Sequence, residues 1–348
     1  MRFLVFLVFS MSLVSSTLPA QRPDSLSEEV RKYVAVDTSV IALTHVQLLD
    51  GKGGTPSSDQ TILIRNGRIA EVGPAGKIRV PEGIRTMDLN GHTVIPGLVG
   101  MHNHLFYTAA GGRAAQMSYT GPRLYLAAGV TTIRTAGGRS PYAEINLRDN
   151  INRGRVPGPR IHLTAPYITG EPGGGSMDVV TTPDEARRFV AYWASEGATW
   201  IKAYTDIRRA ELGAAIQEAH KRGMKVTGHL CSVSFREAVA LGIDNLEHGM
   251  LTASDFDPAK QPDNCPVTVG QSVPDKEAAR KVIHAMVKKG VSMTSTLAVY
   301  EPFVAGRPTR DPRVLNAMAP EVRQGYLKVR NEIDSTEAGP IGVQNFEG

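Results

Sequence analysis

The chain reads as an α/β protein, a (β/α)₈ TIM-type barrel preceded by a small β-domain. Three observations predict this. Seven candidate strands lie at about 94–101, 130–135, 160–165, 199–204, 224–229, 243–248 and 291–297. The segments between them carry helical periodicity with start and stop signals, and strand–helix repetition implies a parallel sheet. Five residues suited to chemistry, His102, His104, Lys202, His229 and His248, stand at or near the C-terminal ends of these runs. That is where such barrels carry their functional groups.

From the start of the chain, residues 1–20 read as a signal peptide. Arg2 supplies the positive end, Phe3 to Val14 the apolar stretch, and Ser15 to Ala20 a small-residue exit before Gln21. The run is short for a membrane span, and no cysteine follows it to carry a lipid. The expectation is a secreted or periplasmic protein with no stable membrane insertion once the signal is cleaved. Residues 21–37 form a polar connector. Residues 38–95 read as an accessory β-domain of short strands, with Asn66-Gly67 between alternating runs as a hairpin signal. Residues 96–348 make up the barrel portion.

The first barrel run ends in His102-Asn103-His104. Side chains i and i+2 of a strand point the same way, so two imidazoles are aimed at one point, as a metal ion needs from its first ligands. Thr182 to Glu185 is a capping box with Pro183 at the first helical position, and Gly197 closes that helix. Lys202 lies near the C-terminal end of the run at 199–204. Asp206 then reads as an N-cap, with Leu212, Ala215, Ile216 and Ala219 at helical spacing and Gly223 as the stop. His229 ends the following run, Ser234 to Glu237 is a second capping box, and His248 closes the run after that. The gaps of 27 residues (Lys202 to His229) and 19 residues (His229 to His248) each fit one strand–helix unit.

On Val94-Ile-Pro-Gly-Leu-Val-Gly-Met-His-Asn-His104, Ile201-Lys202, Gly228-His229 and Glu247-His248-Gly249, the sequence resembles the amidohydrolase superfamily, in particular its imidazolonepropionase-like and prolidase-like members. The resemblance runs from about residue 38 to 300. It implies a (β/α)₈ barrel with a small β-sandwich built from the two ends of the sequence. It makes His102 and His104 ligands of the more buried of two divalent metals, zinc being expected, and His229 and His248 ligands of the second. Lys202, carboxylated by carbon dioxide, becomes the bridge, with Lys202 and His248 taking catalytic roles. A lysine desolvated among cations loses its proton readily, and the neutral amine can add carbon dioxide. Gly100 stands where many members carry aspartate. The aspartate that ends strand eight in the family has no counterpart: after Leu297 the sequence offers only Asp311, before a proline, and Asp334, in a helical stretch. The barrel is therefore expected to be incomplete, shortened at its C-terminus.

Composition is that of a globular protein, 41% hydrophobic and 21% charged, with a formal charge of +5. Lysine and arginine are scattered and aromatics are 6%, which speaks against a nucleic-acid partner. Cys231 and Cys265 are the only cysteines, and their pairing is not legible. The expected function is metal-dependent hydrolysis of a C–N bond in a small molecule or short peptide, dipeptides or N-acyl amino acids first. Two readings stand beside it: a truncated, non-catalytic relative, and a mononuclear imidazolone or cyclic-amidine hydrolase, against which Lys202 speaks. Oligomeric state is not legible.

Overall fold

The computed structural model describes residues 25–108, 114–174, 177–269, 276–300, 304–306 and 310–335. The expected signal peptide and the last 13 residues lie outside them. The protein divides into two compact units, residues 1–96 and 97–348.

The first unit holds a short helix α1 (Glu28–Arg31) and five strands, β1 (Val40–Leu48), β2 (Ser57–Arg65), β3 (Arg68–Pro74), β4 (Arg85–Asp88) and β5 (Thr93–Val94). They form one mixed sheet in the order β3-β2-β1-β4, with β5 also on β1. Arg65 pairs with Arg68 across a two-residue turn in which Asn66 and Gly67 have φ of 49° and 71°. Both positive angles match the right-handed twist of the strands, which explains why Asn-Gly marks this turn. Ile41, Ala42, Val46, Ile62 and Leu63 are buried. The expected sandwich is represented among the described residues by this single sheet.

The second unit opens with β6 (Leu98–Asn103), then a small hairpin of β7 (Phe106–Thr108) and β8 (Ala114–Gln116). Next come α2 (Thr120–Ala127), β9 (Val130–Thr135), α3 (Pro141–Asn152), β10 (Arg160–His162), β11 (Thr164–Thr169) and the two-residue β12 (Asp178–Val179). The alternation continues through α4 (Pro183–Ser195), β13 (Trp200–Ala203), α5 (Arg209–Lys221), β14 (Lys225–Gly228), α6 (Phe235–Leu241) and β15 (Asn245–Glu247). After α7 (Lys276–Lys289) and β16 (Ser292–Thr294) come the helices α8 (Leu297–Tyr300), α9 (Pro312–Ala317) and α10 (Pro320–Asp334).

The strands β6, β9 and β10 form one parallel sheet, and β11, β13, β14, β15 and β16 form another, with β12 added beside β11. The two sheets meet at one near-continuous strand, since only Leu163 separates β10 from β11. Thr164 is tied back to the first sheet by its N–H donating to Thr135 Oγ1 at 2.9 Å. Seven strand positions thus run parallel in sequence order. The series is curled, because His102 on its first strand meets Glu247 on its sixth at 2.8 Å.

Alternation decides which side chains face where. Ile168, Ile201, Ala203, Val226 and Leu246 pack into one core with α4, α5 and α6. The residues between them, Lys202, Thr227, Asn245 and Glu247, are buried on the opposite face. Register sets Lys202 beside Thr227 and Thr227 beside Asn245, so these groups form a polar row across neighbouring strands. Ile133 lies in a second cluster with Leu105, Leu147, Ile151 and Ile161, leaving Arg134 on the polar side.

Both expected capping boxes form, Thr182 with Glu185 and Ser234 with Glu237. Two local expectations shift. The first barrel strand begins at Leu98 rather than 94, because Thr93 and Val94 pair with β1 and Pro96 has no N–H for a ladder. Asp206 does not cap α5: that helix starts at Arg209, and the Asp206 N–H donates to Thr169 Oγ1 instead. Leu212, Ala215, Ile216 and Ala219 are buried at the positions their spacing implied. No helix among the described residues is long and apolar enough to cross a membrane.

Candidate active site

Each of the five sequence-selected residues stands at the C-terminal end of a parallel strand. His102 is the penultimate residue of β6, and His104 lies one residue beyond that strand. Lys202 is in β13, and His229 and His248 directly follow β14 and β15. The fold brings them together. The ring centroid of His102 lies 5.2 Å from that of His104 and 4.8 Å from that of His248. His229 and His248 are 4.6 Å apart by the same measure.

The polypeptide holds each ring by a different contact. His102 Nδ1 is 2.8 Å from Glu247 Oε2. His104 Nδ1 is 3.3 Å from the Gly137 carbonyl, and the Tyr125 hydroxyl donates to the His104 carbonyl at 3.0 Å. Gly137 has φ of +97°, and a Cβ there would stand 2.6 Å from the Tyr167 ring, so only glycine brings that carbonyl so near. His248 has φ of 69°, a left-handed backbone that turns it out of its strand, and its Nδ1 is 3.0 Å from Thr296 Oγ1. His229 Nδ1 has no hydrogen-bond partner, and the Tyr204 ring lies beside it with centroids 4.7 Å apart.

Lys202 is 1% exposed and its Nζ makes no hydrogen bond. The near carboxylate is Glu247, 3.9 Å away, but that oxygen already accepts from Arg134 Nη2 at 2.6 Å and from the Thr227 hydroxyl. Burial outweighs the attraction and pulls the Lys202 amine down to about 8. Burial, together with neighbouring cationic groups, brings His104 and His229 to about 3 and His248 to about 2, and burial also lowers His102. Burial alone would raise Glu247, but the His102 hydrogen bond and the charges of Lys202 and Arg134 hold it below the usual carboxylate range. At neutral pH the cluster is therefore four neutral imidazoles around an unpartnered amine. Neutral imidazole is the ligand form of histidine.

Among the described residues no three His, Cys, Asp or Glu side chains already enclose a cation position. The four imidazoles are instead spread in two pairs, His102 with His104 and His229 with His248, near the Lys202 amine. An orphaned buried amine beside neutral histidines fits the donor set that the family resemblance implies. The two aspartates after β16 are engaged elsewhere. Asp311 caps α9 and pairs with Arg313, and Asp334 pairs with Arg330 and Arg310.

Sequence reading missed Arg134, Tyr204 and Glu144, and took Glu247 only as part of a motif. The signal was present for Glu247: a carboxylate inside an apolar strand requires partners. Arg134 in Val130–Thr135 carried the same signal. Cys231, two residues after His229, is not a candidate ligand but is disulfide-bonded to Cys265.

Glu144, at the start of α3, lies beneath the Gly137-Gly138 turn. It is wholly buried, and neither carboxyl oxygen has a hydrogen-bond partner. Burial pushes it up from 4.5 to about 8. The native state therefore holds a proton that the unfolded polypeptide has lost, so this group's contribution is full below about pH 4.5 and falls as pH rises toward 8. Glu144→Gln removes that dependence. The stability of the variant relative to wild type should rise by on the order of 3 kcal/mol between pH 4.5 and 7, at about 1.4 kcal/mol per unit. Urea titrations across that range check it, and a constant difference refutes it.

The model of the Amidohydrolase family matches residues 93–296. Solved structures share the fold. A Bifidobacterium longum protein assigned as a prolidase aligns at 26% identity over 84% of this protein and 68% of its own length, with a TM-score of 0.59. A Xaa-Pro dipeptidase with methionine bound in its active site aligns at 22% identity over 85% and 75%, with a TM-score of 0.60. A molinate hydrolase aligns at 19% identity over 85% and 81%, with a TM-score of 0.59. No curated protein matches the sequence.

Proposed function

The protein belongs to the amidohydrolase family and is a hydrolase acting on C–N bonds; from that premise we propose that it is an exported, two-metal enzyme for dipeptides or N-acyl amino acids. The observation that carries the two-metal reading is the buried, unpartnered amine of Lys202 among four neutral histidines. In this reading His102 and His104 would hold one divalent cation, zinc being the expected one, and His229 and His248 would hold the other. The Lys202 amine, once neutral, could add carbon dioxide with loss of a proton, and the resulting carbamate would offer an anionic oxygen ligand. Two cations so held would supply a Lewis acid for the scissile carbonyl and acidify a water molecule.

The protein's own groups do the rest. Glu247, the Gly137 carbonyl and Thr296 fix the rings of His102, His104 and His248. Tyr167 and Tyr204, with ring centroids 5.2 Å apart, wall the cluster on the side of His104 and His229. Arg139, exposed after β9, lies 5.3 Å from the Phe106 ring centroid and has no carboxylate partner among the described residues. A cation so placed suits a substrate with a free carboxylate. Likeness to a prolidase and a Xaa-Pro dipeptidase supports the same class. Export is supported by the N-terminal sequence and by the disulfide, which persists in oxidising compartments.

The test is hydrolysis of a panel of dipeptides beside their C-terminal amides, by protein prepared with zinc and bicarbonate and by chelated protein. Dipeptides should turn over only in the first preparation. Arg139→Ala should raise KM for the free acids roughly tenfold, about the 1.4 kcal/mol of one partly exposed charge-assisted contact, with little change in kcat or for the amides. Equal loss on acids and amides would remove Arg139 from the substrate site. Metal-independent turnover would sink the two-metal reading.

A further inference from the structure

The polar groups behind His102 form a directional series. Arg134 is 2% exposed, and its fork is fixed at two points: Nε donates to the Met101 carbonyl and Nη2 to Glu247 Oε1, both at 2.6 Å. The Thr227 hydroxyl accepts from Asn245 Nδ2 at 2.9 Å, so its own proton is free to go to Glu247 Oε1. One carboxylate oxygen thus faces two donors. The other, Oε2, faces only His102 Nδ1 at 2.8 Å. Glu247 and Arg134 are remote from each other in sequence, by 113 residues, and both are buried, so solvent cannot substitute for either.

We infer that Glu247, clamped by Arg134 and Thr227, is a positioning residue that fixes the tautomer of His102, keeping the proton on Nδ1 and the lone pair on Nε2. An ionised carboxylate only accepts, so the nitrogen facing it must be the donor. Tautomer selection from behind is how ligating histidines are prepared for a metal. The tautomer is a property of the metal-free protein. Its consequence for metal rests on the ligand set proposed above.

The clamp makes an unusual prediction for the isosteric variant Glu247→Gln. Arg134 and Thr227 are both donors, so the amide oxygen must take the Oε1 position. The amide nitrogen is then forced into the Oε2 position, where it donates to His102 Nδ1. His102 must accept there and carry its proton on Nε2 instead. A one-atom change of nearly constant shape therefore inverts the ring's proton placement without moving the ring.

The experiment is ¹⁵N spectroscopy of histidine-labelled, metal-free protein near neutral pH, with the His102 signals identified by their loss in His102→Asn. Wild type should show Nδ1–H and an unprotonated Nε2, and Glu247→Gln should show the reverse. An unprotonated Nδ1 in wild type, or an unchanged Nδ1–H tautomer in the variant, overturns the inference. If Glu247→Gln does not fold, as judged by circular dichroism and its thermal transition, the wild-type spectrum alone still decides, because an unprotonated Nδ1 there is incompatible with the clamp. A parallel chelator competition should find zinc held roughly 10–100-fold more weakly by the folded variant, the range for a lost partner behind a ligand. A switched tautomer with unchanged zinc affinity would leave the inference standing and remove His102 from the proposed ligand set.

Discussion

Replacing Lys202 by alanine should leave at most one tightly held metal per molecule and lower C–N hydrolysis by roughly 10²–10³-fold or more. That range is what the loss of one preorganised electrostatic contributor costs. The reason lies in how little else Lys202 does. Its Nζ makes no hydrogen bond, and its one carboxylate neighbour is occupied by Arg134 and Thr227. A lysine that served pairing would have a partner. Stability should therefore change much less than metal content, since the alanine removes a desolvated amine along with its buried stem. Metal analysis beside a thermal melt separates the two effects. A short carboxylate such as acetate, small enough for the vacated space and able to offer two anionic oxygens, should restore part of the second metal. Retention of two metals by the alanine variant would take Lys202 out of the site.

Cutting the Cys231–Cys265 bridge should cost roughly 4 kcal/mol and lower the melting midpoint by about 10 °C. The estimate follows from the conformational entropy of a 34-residue loop and the sensitivity of a domain this size. The bridge ties the segment after His248 back to the turn after His229, with Cα atoms 5.0 Å apart. Polar contacts reinforce the tie: Ser254 Oγ donates to the Cys231 carbonyl at 2.6 Å and Thr252 Oγ1 to the His229 carbonyl at 2.9 Å. Reductant should destabilise wild type and leave a Cys231→Ser, Cys265→Ser variant unaffected. Equal melting of the two proteins under oxidising conditions would mean that the polar contacts alone hold the segment.

The parallel strand series was legible because its signals are local. Apolar runs of strand length, capping boxes at Thr182 and Ser234, and the Asn66-Gly67 turn are each decided within a few residues. The five chemical residues were legible because a strand end gives them a shared direction. What stands behind them was not. Glu247 and Arg134 look in sequence like isolated charges in apolar runs, and only the curl of the strands brings them to one another and to His102. Glu144 was missed because its burial depends on the Gly137-Gly138 turn closing over it, a three-dimensional fact without a sequence pattern. The start of α5 was misplaced because Asp206 has the right chemistry for a cap, but its backbone was already claimed by Thr169. The Cys231–Cys265 pairing needed the path of the segment after His248, which no periodicity reveals.

Strand neighbours in the second unit follow one another in sequence, but the pair that secures His102 does not. His102 and Glu247 are separated by 145 residues. Closing a loop of that length costs about 1.4 kcal/mol more in conformational entropy than closing one of about 30 residues, the spacing of successive strands. Nothing local repays that cost, because the strands from β9 to β14 must first be laid side by side to bring the two ends of the curl within reach. The His102–Glu247 contact is accordingly expected late in folding, after the strand series has curled. Uptake of metal by the proposed ligand set during refolding should then lag the recovery of the helices, and metal binding that tracks helix formation would show that the curl is not needed for it.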